Sequence, residues 1–150
     1  MPRRDRRAPT IDPEQQRYQR KYPRFPGVAE VVRLLKLGGT RGSYLDAVLW
    51  DLREHAPEVL DDVTNAVTEE VDERIRTLLV AELAETGDPR LVVFFADLLE
   101  DANESVAYWA EVGLQHIGTK EARTVLFQHR GPEHARRRRR RRRRHLRRPQ

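Results

Sequence analysis

The chain has 150 residues, with 29 Lys and Arg against 24 Asp and Glu, and it contains no cysteine. The lack of cysteine excludes a disulfide scaffold, a cysteine nucleophile and a thiolate site for zinc or an iron–sulfur cluster. The longest apolar run, Leu91 to Ala96, is far too short to span a bilayer. Because the N-terminal residues also lack the apolar stretch of a secretory signal, we expect a cytoplasmic protein with no membrane partner.

Charge is unevenly distributed along the chain. Residues 1–26 carry 8 basic and 3 acidic side chains, residues 27–131 carry 10 and 20, and residues 132–150 carry 11 and 1. The net charge of +5 therefore combines an acidic middle with two basic ends. Such asymmetry bears on the partners of a protein rather than on its fold.

Both ends have compositions that predict disorder around a folded domain over residues 27–131. Residues 1–26 hold five of the nine prolines and can bury little apolar surface. The aromatic side chains of this segment, which we expect to pack against the start of the domain, are Tyr18, Tyr22 and Phe25. Residues 132–150 contain nine consecutive arginines, Arg136 to Arg144, whose like charges repel in any regular conformation.

Between the two ends the apolar pattern is helical. Apolar residues recur at three- and four-residue steps from Val28 and stop at Gly38-Gly39, a predicted helix end. Pro57 and Pro89 each precede an apolar run, and we expect each at the first position of a helix. No alternating strand pattern is present, so the predicted fold class is all-α.

An internal repeat with a period of 31 residues covers most of this domain. Asp72 to Arg76 aligns with Asn103 to Ala107, and the same offset pairs Gly87 with Gly118. The other aligned pairs are Leu79 with Ala110, Leu83 with Leu114 and Phe95 with Leu126. An earlier, more degenerate copy places Tyr44, Val48, Leu52 and Ala56 at the positions of Ile75, Leu79, Leu83 and Gly87. Each copy predicts a helix of about 14 residues, a tight turn and a second helix of about 12.

The turns and the core follow from this repeat. Asp88 and Thr119 come directly after the turn glycines, where their side-chain oxygens can cap the second helices. Because one helical pair cannot bury both of its apolar faces, we expect the pairs to stack around a shared core. The predicted core residues are Leu79, Leu83, Leu91, Val92, Phe95, Leu98, Leu99, Ala110, Leu114, Ile117 and Leu126.

Residues 75–89 and 106–118 resemble the first-helix pattern of HEAT-like repeats of the short, phycobilin-lyase type. That pattern runs V-R-x-x-A-A-x-A-L-G-x-I-G-D-P, and residues 75–89 match it through the terminal Gly-Asp-Pro. The second copy departs from it at Ala107 and at Thr119-Lys120. The resemblance covers residues 27–130 and implies a right-handed α-solenoid, of the armadillo type, with about three helical pairs.

We find no constellation of residues that indicates catalysis or metal binding. The histidines, none of which has the spacing of a metal site, are His55, His116, His129, His134 and His145. Adjacent acidic residues such as Glu100-Asp101 point apart rather than sharing a proton. Residues 37–42 lack the Lys-Ser/Thr of a phosphate-binding loop. The sequence therefore predicts no enzyme, no catalytic residue, no cofactor and no metal.

Two groups of residues are candidates for binding a protein partner. Tyr108 and Trp109 occupy variable positions of a first helix and could form an exposed aromatic anchor, or Trp109 could pack on the preceding repeat. The second group consists of Val63, Phe94 and Val125, aligned along the second helices, with Arg90, Asp62 and Asp97 at their rim. This apolar ladder would line the face where partners dock, or it would pack between repeats.

We consider three roles for the basic end, Arg136 to Arg148. It could bind nucleic acid nonspecifically, fold back on the acidic domain, or be solvated low-complexity sequence without a function. The hypothesis we adopt is a non-enzymatic interaction module, a scaffold or adaptor that binds a protein along its second helices. The alternative is a nucleic-acid-associated protein, and an enzymatic role is a weaker third.

Overall fold

The computed structural model describes residues 12–37 and 42–131, and every regular element in those ranges is helical. The helices, in chain order, are α1 (Pro13–Lys21), α2 (Val28–Lys36), α3 (Ser43–His55), α4 (Leu60–Glu69), α5 (Glu73–Thr86), α6 (Val92–Leu98), α7 (Glu104–Ile117) and α8 (residues 120–131). A short 3-10 turn, Pro89–Leu91, leads into α6. The predicted all-α class is thus confirmed for this part of the chain.

The chain divides into two compact units, Met1–Glu70 and Val71–Gln150. In the first unit, α3 packs against α1 and α2, and α2 also packs against α4. In the second unit, α7 packs against both α5 and α6. The predicted helix end at Gly38-Gly39 and the arginine-rich residues 132–150 lie outside the described residues.

Helix α1 differs from the disorder predicted for residues 1–26. Asp12 caps the helix by accepting a hydrogen bond from the Glu14 amide at 2.8 Å, and Pro13 occupies the first turn. Tyr18 is only 3% exposed, and its hydroxyl donates to Asp51 Oδ2 at 2.7 Å. The helix forms because burial of this ring and its hydrogen bond offset the entropy of ordering the segment.

The aromatic residues of this segment pack as expected from the sequence. The ring of Tyr18 meets Tyr44 of α3 edge-on, with centroids 5.5 Å apart. Phe25 stacks on His55 at 4.7 Å with an interplanar angle of 4°. Both contacts attach the segment around α1 to α3.

Pro57 is not at the start of a helix, so that prediction is wrong. It lies in a turn in which the Glu58 amide bonds His55 O and the Val59 amide bonds Ala56 O. Helix α4 begins only at Leu60. Pro89, by contrast, does lie at the start of the 3-10 turn before α6. Pro89 follows Asp88, whose side chain caps the turn, whereas Pro57 follows Ala56, which has no side-chain acceptor.

The second unit contains the 31-residue repeat in full register. Helices α5 and α7 each have 14 residues and begin after Asp72 and Asn103, whose side chains accept from the amides two and three residues ahead. Both end at a glycine in the left-handed region, Gly87 at φ 63° and Gly118 at φ 62°. Because a left-handed backbone strongly favours glycine, the same residue type closes both helices.

Equivalent helices of the two copies run parallel. At their N-terminal ends, Asn103 Nδ2 donates to Glu73 Oε2 at 2.6 Å. At their C-terminal ends, His116 Nδ1 lies 3.1 Å from Ala84 O. Contacts of start with start and end with end require α5 and α7 to be parallel neighbours, which is the arrangement of first helices in stacked repeats.

The predicted caps of the second helices are confirmed. Asp88 accepts a hydrogen bond from the Arg90 amide at 2.9 Å, and Thr119 Oγ1 accepts from the Ala122 amide at 3.2 Å. Most of the predicted core is buried, whereas three members are half-buried: Val92, Leu98 and Ile117. One close contact joins α6 to α7, since the Phe95 ring lies directly against Gly113.

Helix α4 departs from the 31-residue register. It buries Val63 and Val67, which lie 32 residues before Phe95 and Leu99, the buried residues of the equivalent region. The earlier, more degenerate copy therefore carries one residue fewer between α3 and the buried positions of α4. This shift is the physical reason why its second helix, α4, aligns poorly at an offset of 31.

Candidate functional site

The seven residues predicted to contact a partner differ widely in exposure. Tyr108, Arg90 and Asp97 are exposed, Trp109, Phe94 and Val125 are half-buried, and Val63 is fully buried. A residue with no exposed surface cannot contact a partner while the protein is folded. The prediction for Val63 is therefore wrong, because the one-residue shift of α4 places it at a core position.

On α6 the most exposed apolar side chain is one that the sequence did not single out. Val93 is 72% exposed and lies one helical turn before Asp97. Its neighbour Phe94 is half-buried, and the Phe94 and Phe95 ring centroids are 5.6 Å apart. The signal was present, because Val93 falls outside the three- and four-residue steps that connect Leu91, Phe95 and Leu99.

Arg90 is already held by the cap of the second helix. Its Nη2 lies 2.7 Å from Asp88 Oδ2, and its Nε lies 3.0 Å from Asp88 Oδ1. This guanidinium holds the pKa of the Asp88 carboxyl below its usual range. Arg90 thus supports the turn before α6 besides lying at the rim of the predicted face.

One face of α5 lies against the second copy. Arg76 bonds Asp101, and the backbone oxygen of Ala84 contacts His116. Val80 lies one helical turn after Arg76 and one turn before Ala84, and it is fully buried. The α7 residues that are 31 positions later are Ala107, Glu111 and Gln115. The position that buried Val80 occupies in α5 is therefore occupied in α7 by the carboxylate side chain of Glu111.

We call the corresponding surface of the second copy the end face: Tyr108, Glu111, Gln115, Phe127 and Arg130. Glu111 accepts a hydrogen bond from Gln115 at 3.2 Å and forms an ion pair with Arg130 of α8. Tyr108 and Phe127 are 60% and 78% exposed. The end face thus joins a polar network to two exposed aromatic rings.

Phe127 belongs to this face for a geometric reason. His129 Nδ1 lies 3.0 Å from Glu100 Oε1, so this side of α8 is turned toward the first copy. Residue 127 precedes it by two positions, which corresponds to a rotation of about 200° around a helix. Its ring therefore points away from the first copy.

A two-point ion pair in the second unit joins α5 to the loop before α7. Arg76 Nη1 and Nη2 both donate to the Asp101 carboxylate, the first at 3.0 Å. The pair raises the pKa of Arg76 and lowers that of Asp101, and the Asn103 amide also donates to Asp101 at 2.9 Å. It fixes the loop between α6 and α7 to α5.

The histidines that the structure describes have local partners. His55 and His129 contact Asp51 and Glu100, and His116 contacts the Ala84 oxygen, while His134 and His145 lie outside the described residues. Within residues 12–37 and 42–131, no three His, Cys, Asp or Glu side chains are grouped as metal ligands. In the same ranges no helix is long and apolar enough to cross a membrane.

Comparisons with known proteins give no match: no family model, no curated protein and no solved structure aligns with the chain. The functional argument therefore depends on the geometry of the two units alone.

Proposed function

We propose that this protein is a HEAT-like helical-repeat module that binds a protein partner and catalyses no reaction itself. The proposal includes a right-handed solenoid of stacked helical pairs. Its partner would dock along the second helices, on the surface around Val93, Phe94, Val125 and Asp97.

The observation that carries the proposal is the repeated architecture of the second unit. Two copies 31 residues apart share the length of their first helices, the polar N-caps and the left-handed terminal glycines, and these first helices are parallel. Repeats of this kind place successive helices side by side and so create extended surfaces suited to protein partners. Such scaffolds host many functions, so the partner must be argued from the surface.

The surface of the second unit favours a basic or polar protein partner. Its described residues, 71–131, carry 11 acidic and 6 basic side chains. A net negative surface repels nucleic acid and is complementary to basic proteins. The exposed Val93 beside the half-buried Phe94 supplies an apolar contact on this surface, and apolar anchors of this kind often carry much of the binding energy.

A pair of valine substitutions tests the docking surface. A partner recovered by cross-linking is purified, and its affinity is measured for the full chain, for Val93→Glu and for Val71→Glu. Both valines are exposed and both changes add one negative charge, but Val71 lies just before α5 and on none of the second helices. We expect Val93→Glu to weaken binding about tenfold and Val71→Glu to leave it unchanged. Equal affinities for the two variants would refute docking along the second helices.

The nucleic-acid alternative depends on Arg136 to Arg148, outside the described residues. If about half of these 11 arginines contact phosphates, log K falls with log salt at a slope near −5. Binding of a short DNA duplex by the full chain, compared with a variant in which Arg136 to Arg144 are glutamine, measures this. Tight binding with that slope, lost in the variant, would replace the protein-partner proposal.

A further inference from the structure

The first unit contains a pocket of about 650 Å³ that the proposed function does not use. It lies between α1, the segment that follows α1, and α3. The lining residues that matter for its chemistry are Tyr22, Phe25, Asp46, Trp50, Asp51 and His55. With Tyr18, which also lines the pocket, four rings of Tyr, Phe and Trp and two carboxylates meet in one concave site, an unusual combination for a surface made only for solubility.

The aromatic walls are held in place by neighbouring groups. The Tyr22 hydroxyl donates to Glu30 Oε1 at 2.6 Å, and the Arg33 guanidinium bonds both oxygens of that carboxylate. Phe25 is stacked flat on His55. Because these rings are fixed before a ligand arrives, a ligand that stacks on them loses little free energy in ordering the site.

Trp50 is the exposed wall of the pocket. It is 61% exposed although it is among the largest apolar side chains of the chain. It lies four residues after Asp46 on α3, so the indole ring and the carboxylate share one helix face. A ligand at this position contacts an aromatic face and a negative charge together.

The second carboxylate lies deeper. Asp51 accepts from the Tyr18 hydroxyl through Oδ2, and its Oδ1 lies 3.2 Å from His55 Nδ1. Arg24 is the one permanently cationic residue in the lining, which thus holds two carboxylates and one guanidinium. The pocket retains an excess of negative charge when His55 is neutral.

From this arrangement we infer that the pocket binds the guanidinium group of an arginine in a basic peptide segment of a protein partner. A planar guanidinium stacks on aromatic faces and bonds carboxylates in the same plane, whereas an ammonium does so as a point charge. The Lys21 ammonium, 5.3 Å from the Tyr22 ring centroid, already places a cation against one of these rings. An anion would meet two carboxylates, and a purely apolar ligand would leave both desolvated without a partner.

The pocket shares no residue with the proposed docking surface on α6, so it can be tested without reference to the proposed function. The probe is a nine-residue arginine peptide, titrated into the full chain and followed through the indole N–H signals of its two tryptophans by NMR. We expect the Trp50 signal to shift and the Trp109 signal to stay in place. A nine-residue lysine peptide of equal charge serves as the chemical control, and we expect it to bind at least threefold more weakly.

Matched variants test whether peptide binding depends on this pocket or only on the net charge of the chain. Asp46→Asn and Asp61→Asn each remove one exposed carboxylate of the first unit, but only Asp46 lines this pocket. We expect Asp46→Asn to weaken the arginine peptide about threefold to fivefold and Asp61→Asn to change it by much less. Trp50→Ala should cost a similar factor through loss of the ring face.

Three outcomes would each overturn the inference: a Trp50 signal that does not move, equal effects of both peptides, or equal effects of both Asp variants. A last comparison tests the source of the arginine. If replacing Arg136 to Arg144 by glutamine leaves peptide binding at Trp50 unchanged, the pocket is open to a partner segment, as inferred. Tighter peptide binding in that variant would show that the chain's own arginines compete for the pocket and would overturn a partner as their source.

Discussion

We expect replacement of Gly113 by alanine to lower the stability of the protein, although the same change inside a helix usually raises it. Gly113 lies inside α7, where alanine is ordinarily favoured over glycine by about 1 kcal/mol. In this protein a Cβ atom on residue 113 would lie 2.6 Å from Phe95 Cε2, 2.7 Å from Cζ and 2.9 Å from Cδ2. Since Phe95 is fully buried, its ring has no open space into which it can turn.

The net magnitude follows from these two opposing effects. Overpacking a filled core costs about 1–3 kcal/mol, and three ring atoms inside contact distance place this site toward the upper end. After subtraction of the helix preference, we expect Gly113→Ala to lower the free energy of unfolding by about 1–2 kcal/mol. For a unit of this size, that lowers the melting temperature by about 4–8 °C for each kcal/mol.

Urea unfolding followed by circular dichroism measures the effect, with Gly131→Ala as the matched control. Gly131 is also in helical conformation, and a Cβ there meets nothing within 4 Å, so we expect an unchanged or slightly higher stability. In the double variant with Phe95→Leu, the smaller side chain relieves the clash, and the combined loss should fall short of the sum by about 1 kcal/mol. If Gly113→Ala proves as stable as the wild type, close packing of α6 on α7 is refuted.

Three further predictions concern the caps, the ion pair and α1. Asp72→Ala should lower stability by about 1 kcal/mol in urea unfolding, because two amides of α5 lose their acceptor, and no loss would contradict the cap. The pKa of Asp101 is lowered in the folded protein. Its ion pair with Arg76 therefore stabilises the folded protein at pH values above the pKa of the unfolded chain, about 3.9, and this stabilisation is lost as the pH falls further. The stability difference between wild type and Asp101→Asn should therefore shrink below about pH 4, and a difference constant from pH 7 to 2 would exclude this linkage. Deleting residues 1–26 should cost about 2 kcal/mol more than deleting residues 1–11, because only the longer deletion removes buried Tyr18, and equal stabilities would show that α1 contributes nothing.

The candidate surfaces were only partly accessible to sequence reasoning. Alignment at a fixed offset of 31 put Val63 with Phe94, although the buried equivalent of Val63 is Phe95, one position further. A one-residue shift turns a helix by about 100° and so exchanges a core position for a surface one. No local signal marks that shift, whereas the exposure of Val93 could have been read from its place outside the core periodicity.

The sequence by itself determined the helical class, the 31-residue period, the polar caps and the terminal glycines of the second unit. These depend on neighbours within one or two turns of the chain, where hydrogen-bond partners and backbone preferences are local. Only the tertiary structure decided that residues 13–21 fold, because the buried Tyr18 hydroxyl needs Asp51, 33 residues away. It likewise decided the register of α4, the composition of the end face and the pocket at Trp50, since each is formed by side chains from separate helices that sequence spacing does not bring together.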